Sequence, residues 1–98
     1  MNNIIITQIK IMAAQAAIMS DSTEADPKTS AYFEGKKAGF EILLNKNETQ
    51  TFFTRDHAQT EAMRHRTELN DPLKYQYFEG IAAAASDTLV LYLLGASE

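Results

Sequence analysis

The sequence predicts an all-α fold: four helices as two tandem αα-hairpins in a compact bundle, one helical domain over residues 1–98. Hairpin 1 spans about residues 3–45 and hairpin 2 about 48–95. Three observations carry this expectation. First, a ten-residue phrase occurs twice, Asp26-Pro27-Lys28-Thr29-Ser30-Ala31-Tyr32-Phe33-Glu34-Gly35 and Asp71-Pro72-Leu73-Lys74-Tyr75-Gln76-Tyr77-Phe78-Glu79-Gly80. Asp, Pro, Tyr, Phe, Glu and Gly recur in register 45 residues apart, which reads as an internal duplication of about that length. Second, each Asp-Pro is a helix start: the carboxylate accepts from free first-turn amides, and proline lacks the N–H that would be unpaired there. Third, apolar residues fall mostly at helical spacing.

The first stretch, residues 3–20, is rich in Ala and Met from Met12 to Met19 and reads as a helix. Only Thr7, Gln8, Lys10 and Gln15 interrupt its apolar surface, so burial on more than one side is expected. The β-branched run Ile4-Ile5-Ile6-Thr7 makes a short strand or irregular segment at residues 3–11 the competing reading. After a polar loop, Ser20 to Ala25, the second helix runs from Pro27 to about Leu44, with Tyr32, Gly35, Gly39, Ile42 and Leu43 on one side and Glu34, Lys37 and Glu41 opposite. Asn45-Lys46-Asn47 ends it, and Asn47-Glu48-Thr49-Gln50 has the form of a capping box. The third helix, about Glu48 to Leu69, is the most polar; Thr49 to Thr54 has enough strand propensity to leave its start open. Leu69-Asn70-Asp71-Pro72 joins it almost without a loop to the fourth, Pro72 to about Leu94, so these two should be neighbours. That last helix is apolar all round near Leu89–Leu94 and stops at Gly95.

Glycine inside a helix costs about 1 kcal/mol against alanine. Gly35 and Gly80 are equivalent under the 45-residue offset, as are Gly39 and Ala84. Small residues four apart make a flat helix face, so the second and fourth helices are expected to cross closely there. Leu91 and Leu94 join these four as expected core or dimer-packing positions.

Composition narrows the function classes. Hydrophobic residues are 45% and charged residues 22%, an ordinary globular balance. A net charge of −4 argues against general nucleic-acid binding, which needs basic density. No cysteine means no disulfide framework and no thiolate metal site. The N-terminus lacks the basic region of a signal peptide, and unbroken apolar runs fall short of the roughly 20 residues that span a bilayer. The expectation is a soluble, cytoplasmic protein without a membrane partner.

No catalytic or cofactor-binding motif is present. His57, Glu61, His65 and Glu68 lie on one stripe at spacings a helical metal site uses. Bundle metal sites draw ligands from several helices, and the stretch 3–20 has no Asp, Glu or His, so a solvated face with charge pairs such as Glu61 with His65 is the better reading. Glu34 and Glu79, equivalent by repeat, read as surface carboxylates rather than an acid–base pair. Lys36-Lys37 and the Arg64–Arg66 stretch read as small solvated basic spots.

What remains is excess apolar surface on the first and fourth helices: either these two pack centrally on each other, or part of that surface is buried between chains, with homodimerisation the favoured reading. The expectation is a small non-enzymatic interaction protein, an adaptor or inhibitor of phage or mobile-element type, acting as a homodimer on a protein partner. Its recognition surface would be the third helix with Arg55, His57, Arg64, His65 and Arg66. The alternative is a small-ligand binder with Tyr32, Tyr75, Tyr77 and Tyr92 around a pocket between helices or at a dimer interface.

Overall fold

The computed structural model describes residues 3–94. They form four helices, α1 (Asn3–Ser22), α2 (Pro27–Leu43), α3 (Glu48–Thr67) and α4 (Pro72–Leu93), with no strand among the described residues. The β-branched start of α1 is therefore helical, with Ile5 and Ile9 fully buried against α2 and α4: tertiary burial overrides local propensity. Gly95, the expected stop of α4, lies outside the described residues. The bounds of α1 and α3, and the starts of α2 and α4, stand 45 residues apart.

The helices neighbour one another in the order α1, α2, α4, α3, with α2 and α4 as the central pair. The body is flattened, 42 × 28 × 18 Å. The central pair meets at its small residues. A methyl group added at Gly35 would overlap the Tyr77 carbonyl oxygen and come within 2.7 Å of its carbon. One added at Gly80 would overlap the Tyr32 carbonyl oxygen and come within 2.7 Å of the Lys36 amide nitrogen. One at Gly39 would meet the Ala84 Cβ at 2.8 Å. These contacts are reciprocal under the 45-residue offset. Residue numbers also rise together along both helices, so α2 and α4 run in the same direction. The expectation of duplication concerns descent; the reciprocity is a matter of geometry.

Two clusters make the core. Ile5 and Ile9 of α1, Phe40 and Leu43 of α2, and Ala84 and Ala85 of α4 form one, with Leu91 and Tyr92 packed on its edge. Ala58 of α3 with Ile81 and Ala82 of α4 forms the other, under Tyr77 and Phe78. The alanine run lets α4 take helices on two sides. Full burial of each large aliphatic or aromatic side chain contributes about 1.5–3 kcal/mol, and Phe40, Ile5, Ile9 and Leu43 are the largest wholly apolar ones. The buried Thr51 and Thr88 hydroxyls donate to the Asn47 and Ala84 carbonyls one turn back, so they are satisfied within their own helices.

Several local expectations change. The two Asp-Pro starts are not alike. Asp71 accepts from the Lys74 amide at 3.1 Å, whereas Asp26 makes no such cap and accepts instead from the Thr29 hydroxyl at 2.6 Å. The third helix does begin at the capping box: Asn47 and Gln50 exchange side chain-to-amide bonds of 2.8 and 2.9 Å. Burial of α1 on more than one side does not occur, because it is an outer helix with α2 as its main neighbour; Ile4, Ile11 and Ile18 face outward. Nor is the end of α4 enclosed. Leu91 is half-buried on the core, but Val90, Leu93 and Leu94 are exposed. Lys36 is not solvated alone: it pairs with Asp87 across the α2–α4 seam at 3.3 Å. By length and composition α1 could cross a membrane, which a search for unbroken apolar runs overlooks because single polar residues divide it.

Candidate interaction surface

The contact face of α3 toward α4 is carried by Ala58, Ala62 and His65. Small alanines allow close packing on the helix below, and this sets which side chains point outward. Phe52, Phe53 and Met63 are exposed, and Phe53 is 63% exposed. Beside them lie the arginines. The Arg55 guanidinium sits 4.7 Å over the Phe52 ring, Arg66 sits 5.7 Å over Tyr75, and the Arg64 Nε lies 3.3 Å from Glu61 Oε2. Arg stacked on an aromatic face gains cation–π attraction, about 0.5–1 kcal/mol at an exposed site. The same contact holds the guanidinium in a fixed orientation. Arg55 Nε is buried with no hydrogen-bond partner.

His65 must be removed from the exposed set. It is 8% exposed and stacks on Phe78 with ring centroids 5.3 Å apart and planes 13° apart. The cause is the α3–α4 turn. Asn70 takes φ 50°, a left-handed conformation that Asn tolerates, and the Asp71 amide then donates to the His65 carbonyl at 2.8 Å. That closure draws the last turn of α3 down onto α4. The pair Glu61–His65 does not form; Glu61 pairs with Arg64 instead. His57 is exposed while His65 is buried, so the stripe with Glu61 and Glu68 does not converge. Among the described residues no group of three or more His, Asp or Glu is placed to hold a metal.

His57 stands at the edge of a valley of about 490 Å³, floored by Phe78 and Ile81 of α4 and walled by Ile42 and Lys46 on one side and Phe53 and Ala58 on the other. A second valley of about 220 Å³ lies between α1 and the central pair, lined by Met12, Met19, Phe33, Lys36, Phe40 and Asp87. The two correspond under the 45-residue offset: Phe33 with Phe78, Lys36 with Ile81, and Ile42 with Asp87. The ion pair of one valley is thus an isoleucine pair in the other. Sequence reading singled out the arginines and set Phe52, Ala58, Ala62, Met63 and Leu69 as the thin apolar stripe of this helix; only the two alanines are buried, while Phe52, Met63 and Leu69 are exposed. Phe53 was not weighed, although of two phenylalanines about 100° apart on a helix at least one must point away from the core.

The four tyrosines are dispersed. Tyr32 is edge-on to Phe33, Tyr75 lies beneath Arg66, and Tyr77 borders a hollow between the N-terminal halves of α2 and α4. The Tyr92 hydroxyl donates to the Lys46 carbonyl at 3.4 Å. Compared with known proteins, the chain matches no family model, no curated protein and no solved structure.

Proposed function

We propose that this chain is a small interaction protein, an adaptor or inhibitor, that works as a homodimer and binds a protein partner through the outer face of α3. The observation that carries this reading is the set Phe52, Phe53 and Met63, exposed beside Arg55, Arg64 and Arg66 on one polar helix. Aromatic residues, Met and Arg are the types enriched at protein interfaces, and Arg anchors are prominent among the residues that dominate binding energy. The apolar valley beside Phe53 offers a place for an inserted partner side chain. A partner with acidic residues around an apolar anchor fits this chemistry.

The test is partner capture by immobilised protein. Arg64→Glu with Arg66→Glu should abolish capture of a partner that the wild-type chain retains, and Phe53→Ala should weaken it at least tenfold. Glu41→Lys, exposed on α2, should leave it unchanged. Equal capture by the charge-reversed and wild-type chains defeats the assignment to α3.

A further inference from the structure

We propose that the valley between α1 and the central helix pair binds a free amino acid with an apolar side chain, of the class of leucine and methionine. The valley holds about 220 Å³. At about 30 Å³ per water molecule that is room for about seven water-sized groups, which suits one amino acid and is too little for a nucleotide. Met12, Ala16 and Met19 of α1 and Phe33 and Phe40 of α2 supply the apolar lining. Phe40 is fully buried and held by the core, while the two methionine side chains are flexible enough to adapt to an aliphatic guest.

The charges indicate the occupant. Among the described residues lining the valley, Lys36 of α2 and Asp87 of α4 are the charged ones, and they stand 3.3 Å apart. Under the 45-residue offset the corresponding positions in the other valley are Ile81 and Ile42. The same backbone arrangement is thus completed there by two isoleucines, so the fold itself does not require a charge at either place. Nor does the pair add much stability. Its side chains are 25% and 44% exposed, and a partly solvated ion pair contributes little. An ammonium and a carboxylate set together beside an apolar lining are the complement of a molecule that carries both charges on one carbon together with an apolar side chain. The ligand carboxylate accepts from the Lys36 ammonium, and the ligand ammonium donates to the Asp87 carboxylate. A monoanion would satisfy Lys36 but meet Asp87 as a like charge, and a monocation would satisfy Asp87 but meet Lys36 as one. The exposed Gln15 amide, also on the lining, has both a donor and an acceptor to offer the same groups. Lys36 bears its ammonium on a flexible four-carbon stem, so the pair parts by rotation of that stem without movement of either helix.

Labelling the methionine ε-methyl groups with carbon-13 puts reporters inside the valley, at Met12 and Met19, and one outside it, at Met63 on α3. Titration with L-leucine, or with unlabelled L-methionine, to millimolar concentration should shift the Met12 and Met19 signals saturably and leave Met63 in place. Isocaproate, which lacks the ammonium, and leucinamide, which lacks the carboxylate, should each bind at least tenfold more weakly than leucine. Lys36→Ile with Asp87→Ile copies the other valley, so it should keep the wild-type circular-dichroism melt and lose the leucine-dependent shifts. No saturable shift at Met12 and Met19 with either amino acid overturns the proposal. So does equal binding of isocaproate or leucinamide, which makes the valley a plain apolar cavity, and so does unchanged leucine binding by the double variant. Both analogues are titrated into wild-type protein, so the test holds even where the double variant fails to fold. None of these outcomes bears on capture through α3, which is read by its own variants.

Discussion

Replacing Gly35 by alanine should destabilise the protein heavily, against the usual gain of about 1 kcal/mol for Gly→Ala inside a helix. The new methyl would overlap the Tyr77 carbonyl oxygen and lie 2.7 Å from its carbon. Both belong to the backbone of a neighbouring helix, so no rotamer change relieves the clash and the central pair must separate. Overpacking typically costs 1–3 kcal/mol and occasionally more. An obstacle made of main chain belongs at the upper end, so the net loss should be about 2–3 kcal/mol after the propensity gain. For a domain of this size each kcal/mol lowers Tm by roughly 4–8 °C, giving a fall of about 10–20 °C in a circular-dichroism melt, with a matching drop in the urea midpoint. Gly80→Ala should cost about the same, because its clash with Tyr32 is the reciprocal one. The two together should cost less than their sum, since one separation of the helices relieves both. Gly39→Ala differs in kind: its nearest obstacle is the Ala84 side chain, at 2.8 Å. Adding Ala84→Gly should therefore recover part of the loss at Gly39 and nothing at Gly35. A Gly35→Ala protein as stable as wild type, or more so, would refute the backbone contact between α2 and α4.

Two further measurements probe the helix ends and the core edge. Asp71→Ala should cost about 1 kcal/mol in urea denaturation, the ordinary value of an N-cap, while Asp26→Ala should cost less, because its main partner is the Thr29 hydroxyl and its approach to the first-turn amides of Lys28 and Thr29 falls short of a cap. The hydrogen bond from the Thr29 hydroxyl holds the Asp26 carboxyl below its ordinary 3.8. Its stabilisation is thus present above the unfolded value and lost as pH falls through the folded one, and Asp26→Asn should flatten that acid-side decline. Tyr92 runs the other way. Burial first, and the Glu48 charge second, raise its phenol above the ordinary 10.0. The folded state then holds its proton longer than the unfolded chain. Stability should fall as pH rises from the unfolded value through the folded one, and Tyr92→Phe should lessen that alkaline loss relative to wild type.

The fold was legible because its punctuation is chemical and local. Pro27 and Pro72 can only begin these helices, Asn47 and Gln50 close a box that fixes the start of α3, and Gly35, Gly39, Gly80 and Ala84 mark where another backbone must come near. What escaped the sequence depends on which helix lies beside which. His65 shares a polar stripe with His57, so a helical wheel puts both in water. Only the turn at Asn70 brings the last turn of α3 down onto Phe78. Ile5 and Ile11 are the same residue type on the same helix, yet one is fully buried and the other half exposed, because α1 is an outer helix. The ion pair of Lys36 with Asp87 joins residues 51 positions apart and needs the parallel run of α2 and α4 to exist. At the surface, residue type found the arginines, but their stacking on Phe52 and Tyr75 belongs to the assembled helices.

The glycine seam bears on how the chain reaches its native state. Helices adjoining in sequence, α1 with α2 and α3 with α4, meet through short loops and need little chain closure. The seam joins positions some 45 residues apart and can form only after both halves have appeared. Neither half encloses the first core cluster by itself, since Phe40 and Leu43 come from one and Ala84 and Ala85 from the other. Cooperativity between the two halves therefore runs through this seam and the core cluster they share. A chain cut between α2 and α3 leaves two pieces, each with a bare glycine face and half a core, that gain a common fold only by finding each other.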